Sequence, residues 1–278
     1  MVYLAQLRDG RSHDARLPIE LPNKRFLGVS ALLFAASTAV TIVWCASMSP
    51  MDEMPMPGGW TMSMAWMRMP RQTWPGAAAS FLLMWVAMMV AMMLPTLVPM
   101  LGRYRQAIAR TGEMRLGRLT ALVGIGYFFV WTVSGMVVYP LGVALAAVEM
   151  QLPSLAHAVP IVVGVIVLIA GCLQFTAWKA RQLACCREAP GRGFMLPAGA
   201  GTAWRHGVHL GLHSGPCCAN LMAILLVSGL MDLRVMAVVA AAITVEHLAP
   251  AGEGVARATG AVFVGAGLFL VVRAAGLG

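Results

Sequence analysis

The stretch FLLMWVAMMVAMMLPTLVP, residues 81–99, decides the fold. It lies inside an apolar run of about Gly76–Met100, and roughly 20 apolar residues suffice for a helix to cross a bilayer. Runs of the same kind recur at Phe26–Met48, Leu119–Glu149, Val159–Trp178, Gly207–Met231 and Val255–Arg273. A shorter one, Arg234–Leu248, is polar at its end, so six and seven spans both fit. Of the 278 residues, 59% are hydrophobic and 11% charged, against about 25% charged in a soluble domain. The expectation is an all-α integral membrane protein, a bundle of six or seven transmembrane helices. Residues 1–25 form a segment ahead of a single membrane domain, 26–278. That segment is too long and mixed to be the n-region of a cleaved signal peptide, so the first apolar run reads as an anchor.

The 20 basic residues set the topology. Arg8, Arg11, Arg16, Lys24 and Arg25 precede the first run, and Arg103, Arg105, Arg110, Arg115 and Arg118 follow the second. Lys179, Arg181, Arg187, Arg192 and Arg205 follow the fourth, whereas the alternate segments hold only Arg68, Arg71 and Arg234. Basic residues near span ends stay cytoplasmic. The amino terminus is therefore expected inside and the segment 49–75 exported. The formal charge of +9 is read as topology, with the lipid bilayer as partner and no nucleic acid.

The exported segment carries the first candidate chemistry. MSPMDEMPMPGGWTMSMAWMRMP, residues 48–70, includes Met51, Met54, Met56, Met62 and Met64. Thioether is a soft neutral ligand that suits Cu(I) and not Mg, Ca or Mn. It needs no deprotonation and withstands an oxidising compartment, and Asp52 and Glu53 add negative charge for capture. The competing reading is an interfacial loop anchored by Trp60, Trp66 and Trp74. On the second helix Met84, Met88 and Met92 form one stripe and Met89 and Met93 its neighbour, with a kink expected at Pro95. Such a ladder can pass a soft cation inward, or can simply be gap-filling core.

WRHGVHLGLHSGPCCANLM, residues 204–222, is the most informative helix. At about 100° per residue, His206, His209, His213, Cys217 and Asn220 share one face. Gly215-Pro216 is expected to break the helix before Cys217-Cys218. Membrane helices rarely carry several ionisable groups without a functional reason, and imidazole with thiolate suits Zn or Cu. A second adjacent pair, Cys185-Cys186, falls in KARQLACCR after the fourth span, on the reducing side. The two pairs can supply thiolates to one site where the end of the fourth helix approaches the fifth. Their alternative is inert thiols at helix ends, and that of the histidines is bonding to neighbouring helices. Cys45 and Cys172 read as packing residues. Glu246, beside His247, is expected to pair with Lys179 or Arg257, with a metal as the alternative partner. No phosphate loop, GxSxG or HExxH occurs, and the chain lacks the cytosolic domains of an ATP-driven pump.

These pieces resemble the bacterial family known as domain of unknown function 2182, predicted metal-binding membrane proteins. The resemblance rests on MWVAMMVAMMLPTLVP at 84–99, Lys179 to Arg187, GPCCANLM at 215–222 and GLMDLRVMAVVAAAITVEHLAP at 229–250. It implies a multi-helix protein of the bacterial inner membrane that binds a transition metal. The chain departs from the family pattern at Gln182, Ser214 and His247, which leaves His209 and His213 as substitute donors. The expected function is binding of Cu(I), with Zn(II) as the other candidate, for capture, relay or transport. A metallochaperone or a larger membrane complex is the expected partner. The rival functions are an accessory subunit that stabilises such a complex and a metal-dependent intramembrane oxidoreductase.

Overall fold

The computed structural model of the chain describes residues 24–48, 54–56, 60–68, 72–109, 115–187 and 199–276. Eight helices dominate these residues: α1 (Lys24–Met48), α2 (Trp74–Ala109), α3 (Leu116–Gln151), α4 (Pro153–Leu173), α5 (Ala177–Arg187), α6 (Ala200–Ser228), α7 (Leu233–Leu248) and α8 (Gly252–Ala274). Six of them (α1, α2, α3, α4, α6 and α8) are long and apolar enough to cross a membrane. The expected sixth span, α7, has 16 residues, about 24 Å of helix against a hydrocarbon core of about 30 Å. Large apolar side chains lie on their outer faces, among them Leu32, Val43, Leu83, Leu141, Val262 and Phe269, as a membrane-spanning bundle would need.

Small residues set the helix contacts. A Cβ at Gly207 of α6 would collide with the Val123 carbonyl of α3, and one at Gly126 of α3 would sit 2.6 Å from the Trp204 carbonyl. Between α4 and α8, a Cβ at Gly171 would lie 2.7 Å from the Val264 nitrogen and one at Gly267 would lie 2.6 Å from the Leu168 nitrogen. Such close backbone approach is how apolar helices pack when lipid is as apolar as the side chains. Gly207→Leu is therefore expected to push α6 off α3. Loss of the monodisperse detergent-solubilised species would show it, and a wild-type elution profile would contradict it.

Two local expectations change, at Pro216 and at the end of the fourth span, and the turn after α6 adds a feature of its own. The helix α6 continues unbroken through Pro216, so no break precedes Cys217-Cys218, and α2 runs as one helix past Pro95 and Pro99. Neighbouring helices hold a membrane helix together at a proline that would end it in water. The fourth helix stops at Leu173 rather than Trp178, and a separate α5 follows. The turn between them is closed by Gln174 N–H to the Gly171 carbonyl at 3.2 Å, and Thr176 Oγ1 caps α5 by accepting from Lys179 N–H at 3.3 Å. Finally, Gly229 adopts φ of +119°, which turns the chain so that α7 folds back along α6. Asp232 caps α7 by accepting from the Arg234 and Val235 N–H groups at 2.8 and 3.3 Å.

Part of the methionine-rich segment is a small antiparallel hairpin, β1 (Met54–Met56) and β2 (Trp60–Met62), with Met54 opposite Met62. It is pinned to one end of the bundle. Trp60 Nε1 donates to the Ala156 carbonyl at the start of α4 at 2.9 Å. The Trp66 ring packs on Phe81 of α2 at 5.4 Å, and Phe81 on Tyr139 of α3 at 5.0 Å.

Candidate metal centre

Three helices bring three ligand atoms together. Cys186 Sγ from α5, Cys217 Sγ from α6 and a ring nitrogen of His247 from α7 all lie within 4.8 Å of one another. Cys217 is fully buried, and Cys186 and His247 are half-buried. Cys217 Sγ stands 3.5 Å from His247 Nε2, while His247 Nδ1 is 2.8 Å from the Ile243 carbonyl. Only a protonated Nδ1 can donate to that carbonyl, which leaves Nε2, the nitrogen that faces the sulfur, as the one able to bind a metal. This is the arrangement in which a backbone acceptor orients a metal-ligating histidine. With metal–sulfur and metal–nitrogen lengths of about 2.3 and 2.0 Å, a 3.5 Å separation gives an angle of about 110° at the ion. The donor set fits a soft or borderline transition metal.

Behind the trio sits a buried cation. Lys179 of α5 is 1% exposed and Glu246 of α7 is fully buried, with Nζ 2.9 Å from Oε2. Lys179 Nζ also donates to the Cys217 carbonyl of α6 at 2.7 Å, and Gln174 Nε2 donates to Glu246 Oε1 at 2.8 Å. One ammonium therefore ties together the three helices that carry the three ligand atoms. A buried pair is stable only when its charges are mutually compensated and hydrogen-bonded, and here each partner has more than one contact.

The other candidate residues fall in three places. Cys218 is buried with its sulfur 4.0 Å from Ser214 Oγ, which in turn is 2.9 Å from the Tyr127 hydroxyl; it is outside the converging trio. Cys185 lies on α5, but its side chain is outside the described residues. His209 and His213 are exposed and pair with each other, Nε2 to Nε2 at 3.1 Å. His206 instead stacks on Tyr104 at 5.3 Å, and Asn220 turns to α4, donating to the Ala170 carbonyl at 3.4 Å.

Met88, Met89, Met92 and Met93 are buried, as is Met84, in the one apolar core that also holds Cys217 and Cys218. Met62 is buried and Met56 half-buried; the side chains of Met54 and Met64, and all of Met51, are outside the described residues. Cys45 Sγ lies 4.0 Å from Met231 Sδ.

His247 is the member of the trio that sequence reasoning does not name. It was read with Glu246 as a helix-end pair, although its place at a departure from the family pattern marked it. The useful signal was the alternation Glu246-His247, which sends one side chain to Lys179 and the other to Cys217.

A helical bundle with six helices suited to a membrane and a thiol–imidazole cluster inside it defines a class: helical proteins equipped for a transition-metal ion. The chain belongs to the PpoB2 family, described as a copper chaperone, whose match covers residues 82–270 and so takes in every residue of the trio and of the Lys179 network. Among curated proteins and among solved structures nothing matches it.

Proposed function

We propose that the protein is a copper chaperone of the inner membrane that holds Cu(I) between Cys186, Cys217 and His247. The observation that carries this reading is the convergence of the three ligand atoms within 4.8 Å in a chain of the copper chaperone family. Two thiolates and one imidazole favour a soft ion. Three protein donors also fall one short of the closed tetrahedral set usual for structural zinc. Copper is here the cargo, so a site that is half-buried and of low coordination number suits both holding and release.

The topology gives the other sulfur residues a place in this function. With Lys24 and Arg25 on the cytoplasmic side, the hairpin end of the bundle faces outward and the Lys179 end inward. The methionine segment, with Met51, Met54, Met56, Met62 and Met64, captures the ion. Met88, Met89, Met92 and Met93 relay it through the core, over about 14 Å from Met84 to Met93. Cys218 and Cys185 stand next to the ligands in the chain and serve its exit to a metallochaperone or a larger membrane complex.

Elemental analysis of the detergent-purified protein, grown with copper and zinc and washed with a mild chelator, tests the reading. The expected result is one copper per chain. Zinc alone would replace the cargo, and no metal would leave the trio as packing. For the capture segment, replacing Met51, Met54, Met56 and Met64 by leucine should slow copper uptake by cells. It should leave retention by the purified protein unchanged. Uptake at the wild-type rate would reduce the methionines to packing.

A further inference from the structure

We infer that His209 and His213 form a second, open metal site, through which copper exchanges with the Cys186–Cys217–His247 centre. This rests on the copper-chaperone reading above. The two histidines are four residues apart on α6, and their rings face each other with centroids 4.3 Å apart and planes at 58°. Their Nε2 atoms are 3.1 Å apart. In the metal-free protein one imidazole donates its proton to the other. An ion in place of that proton, at about 2.0 to 2.1 Å from each nitrogen, would subtend about 95–100°, an angle that tetrahedral and square-planar coordination both accept. Paired histidines at this spacing on one helix face are an established way to chelate a transition metal. Imidazole suits copper among the ions that such a pair takes.

The position argues for exchange and against storage. Both side chains lie on the outer surface of α6 and not in the helix packing, and a site built on two imidazoles suits exchange better than storage. The pair is also joined to the centre: Cys186 Sγ donates to the His213 carbonyl at 3.6 Å, and Cys217 follows His213 by one helical turn. In this proposal an ion leaving the imidazoles passes to the thiolates along the same stretch of α6. No electron is transferred in this step; Cu(I) changes ligands and keeps its oxidation state.

The test uses the full chain in detergent and the coloured Cu(I)–bicinchoninate complex as donor, followed by stopped-flow absorbance. The double variant His209→Asn, His213→Asn is expected to end at the same copper content as wild type but to get there at least about tenfold more slowly, an effect within the range for a lost metal-site contact. A second readout uses Cu(II) added to the variant Cys217→Ser, His247→Ala, which lacks the imidazole of the first centre; its electron paramagnetic resonance should show coupling to imidazole nitrogen that His209→Asn, His213→Asn sharply reduces. Unchanged transfer rate, or nitrogen coupling undiminished by the two histidine substitutions, overturns the exchange site. Failure of the chaperone reading looks different: Cys217→Ser would then retain copper like wild type, whatever the histidines do.

Discussion

Cys217→Ser is expected to lose copper retention by at least about 100-fold in affinity, above the 10- to 100-fold usual when only an outer-sphere partner of a metal site is removed. The side chain is fully buried, 3.5 Å from His247 Nε2, and its own carbonyl is held by Lys179. Serine keeps the volume close and the helix intact, but a neutral hydroxyl is a poor ligand for a soft ion. Competition against a Cu(I) chelator of known affinity measures the change. Cys218→Ser supplies the contrast. Its sulfur faces Ser214, and in the proposed function it serves release, so equilibrium affinity should stay within about threefold, inside the context dependence of a single contact. Equal losses in the two variants would place the ion between the adjacent cysteines, contrary to the site described.

Lys179→Met should be the most damaging single change to the fold around the site. It leaves the fully buried Glu246 carboxylate with Gln174 and without its cation, and removing one partner of a buried pair costs about 3–5 kcal/mol. It also frees α5 from α6 and α7, so Cys186 and His247 lose their register with Cys217. Both thermal stability in detergent and copper retention are expected to fall. The double variant Lys179→Met, Glu246→Leu removes both charges and should recover most of the stability, because apolar replacement of a buried pair is often neutral or better. Copper retention should recover less, since the Cys217 carbonyl stays without its ammonium partner. A single variant as stable as wild type would mean that the pair does not hold the three helices.

The helices themselves were legible because bilayer thickness imposes a length and a composition that Phe26–Met48 or Gly76–Met100 satisfy without reference to any neighbour. The pairing of Lys179 with Glu246 could be anticipated for a similar reason, since an isolated charge at such depth is costly. The meeting of the two cysteine pairs was readable only as a neighbourhood. Which sulfurs converge with His247 depends on the rotation of α5 and α6, to which the close contacts at Gly126 and Gly207 and the Lys179 bond to α6 contribute. Local rules misled at Pro216, where packing against α3 carries the helix past a residue that removes one hydrogen bond. His247 was hidden because its meaning lies in the turn at Gly229, which brings α7 back beside Cys217. The pairing of His209 with His213 follows from four-residue spacing alone, but its exposure does not.

The most direct test of the central claim is copper K-edge X-ray absorption on the full-length protein, loaded with Cu(I) and washed with chelator. The account predicts the edge of Cu(I) and a shell of two sulfurs and one imidazole nitrogen, with the nitrogen absent in His247→Ala. A shell of sulfur alone that is indifferent to His247, or no retained copper, would contradict it.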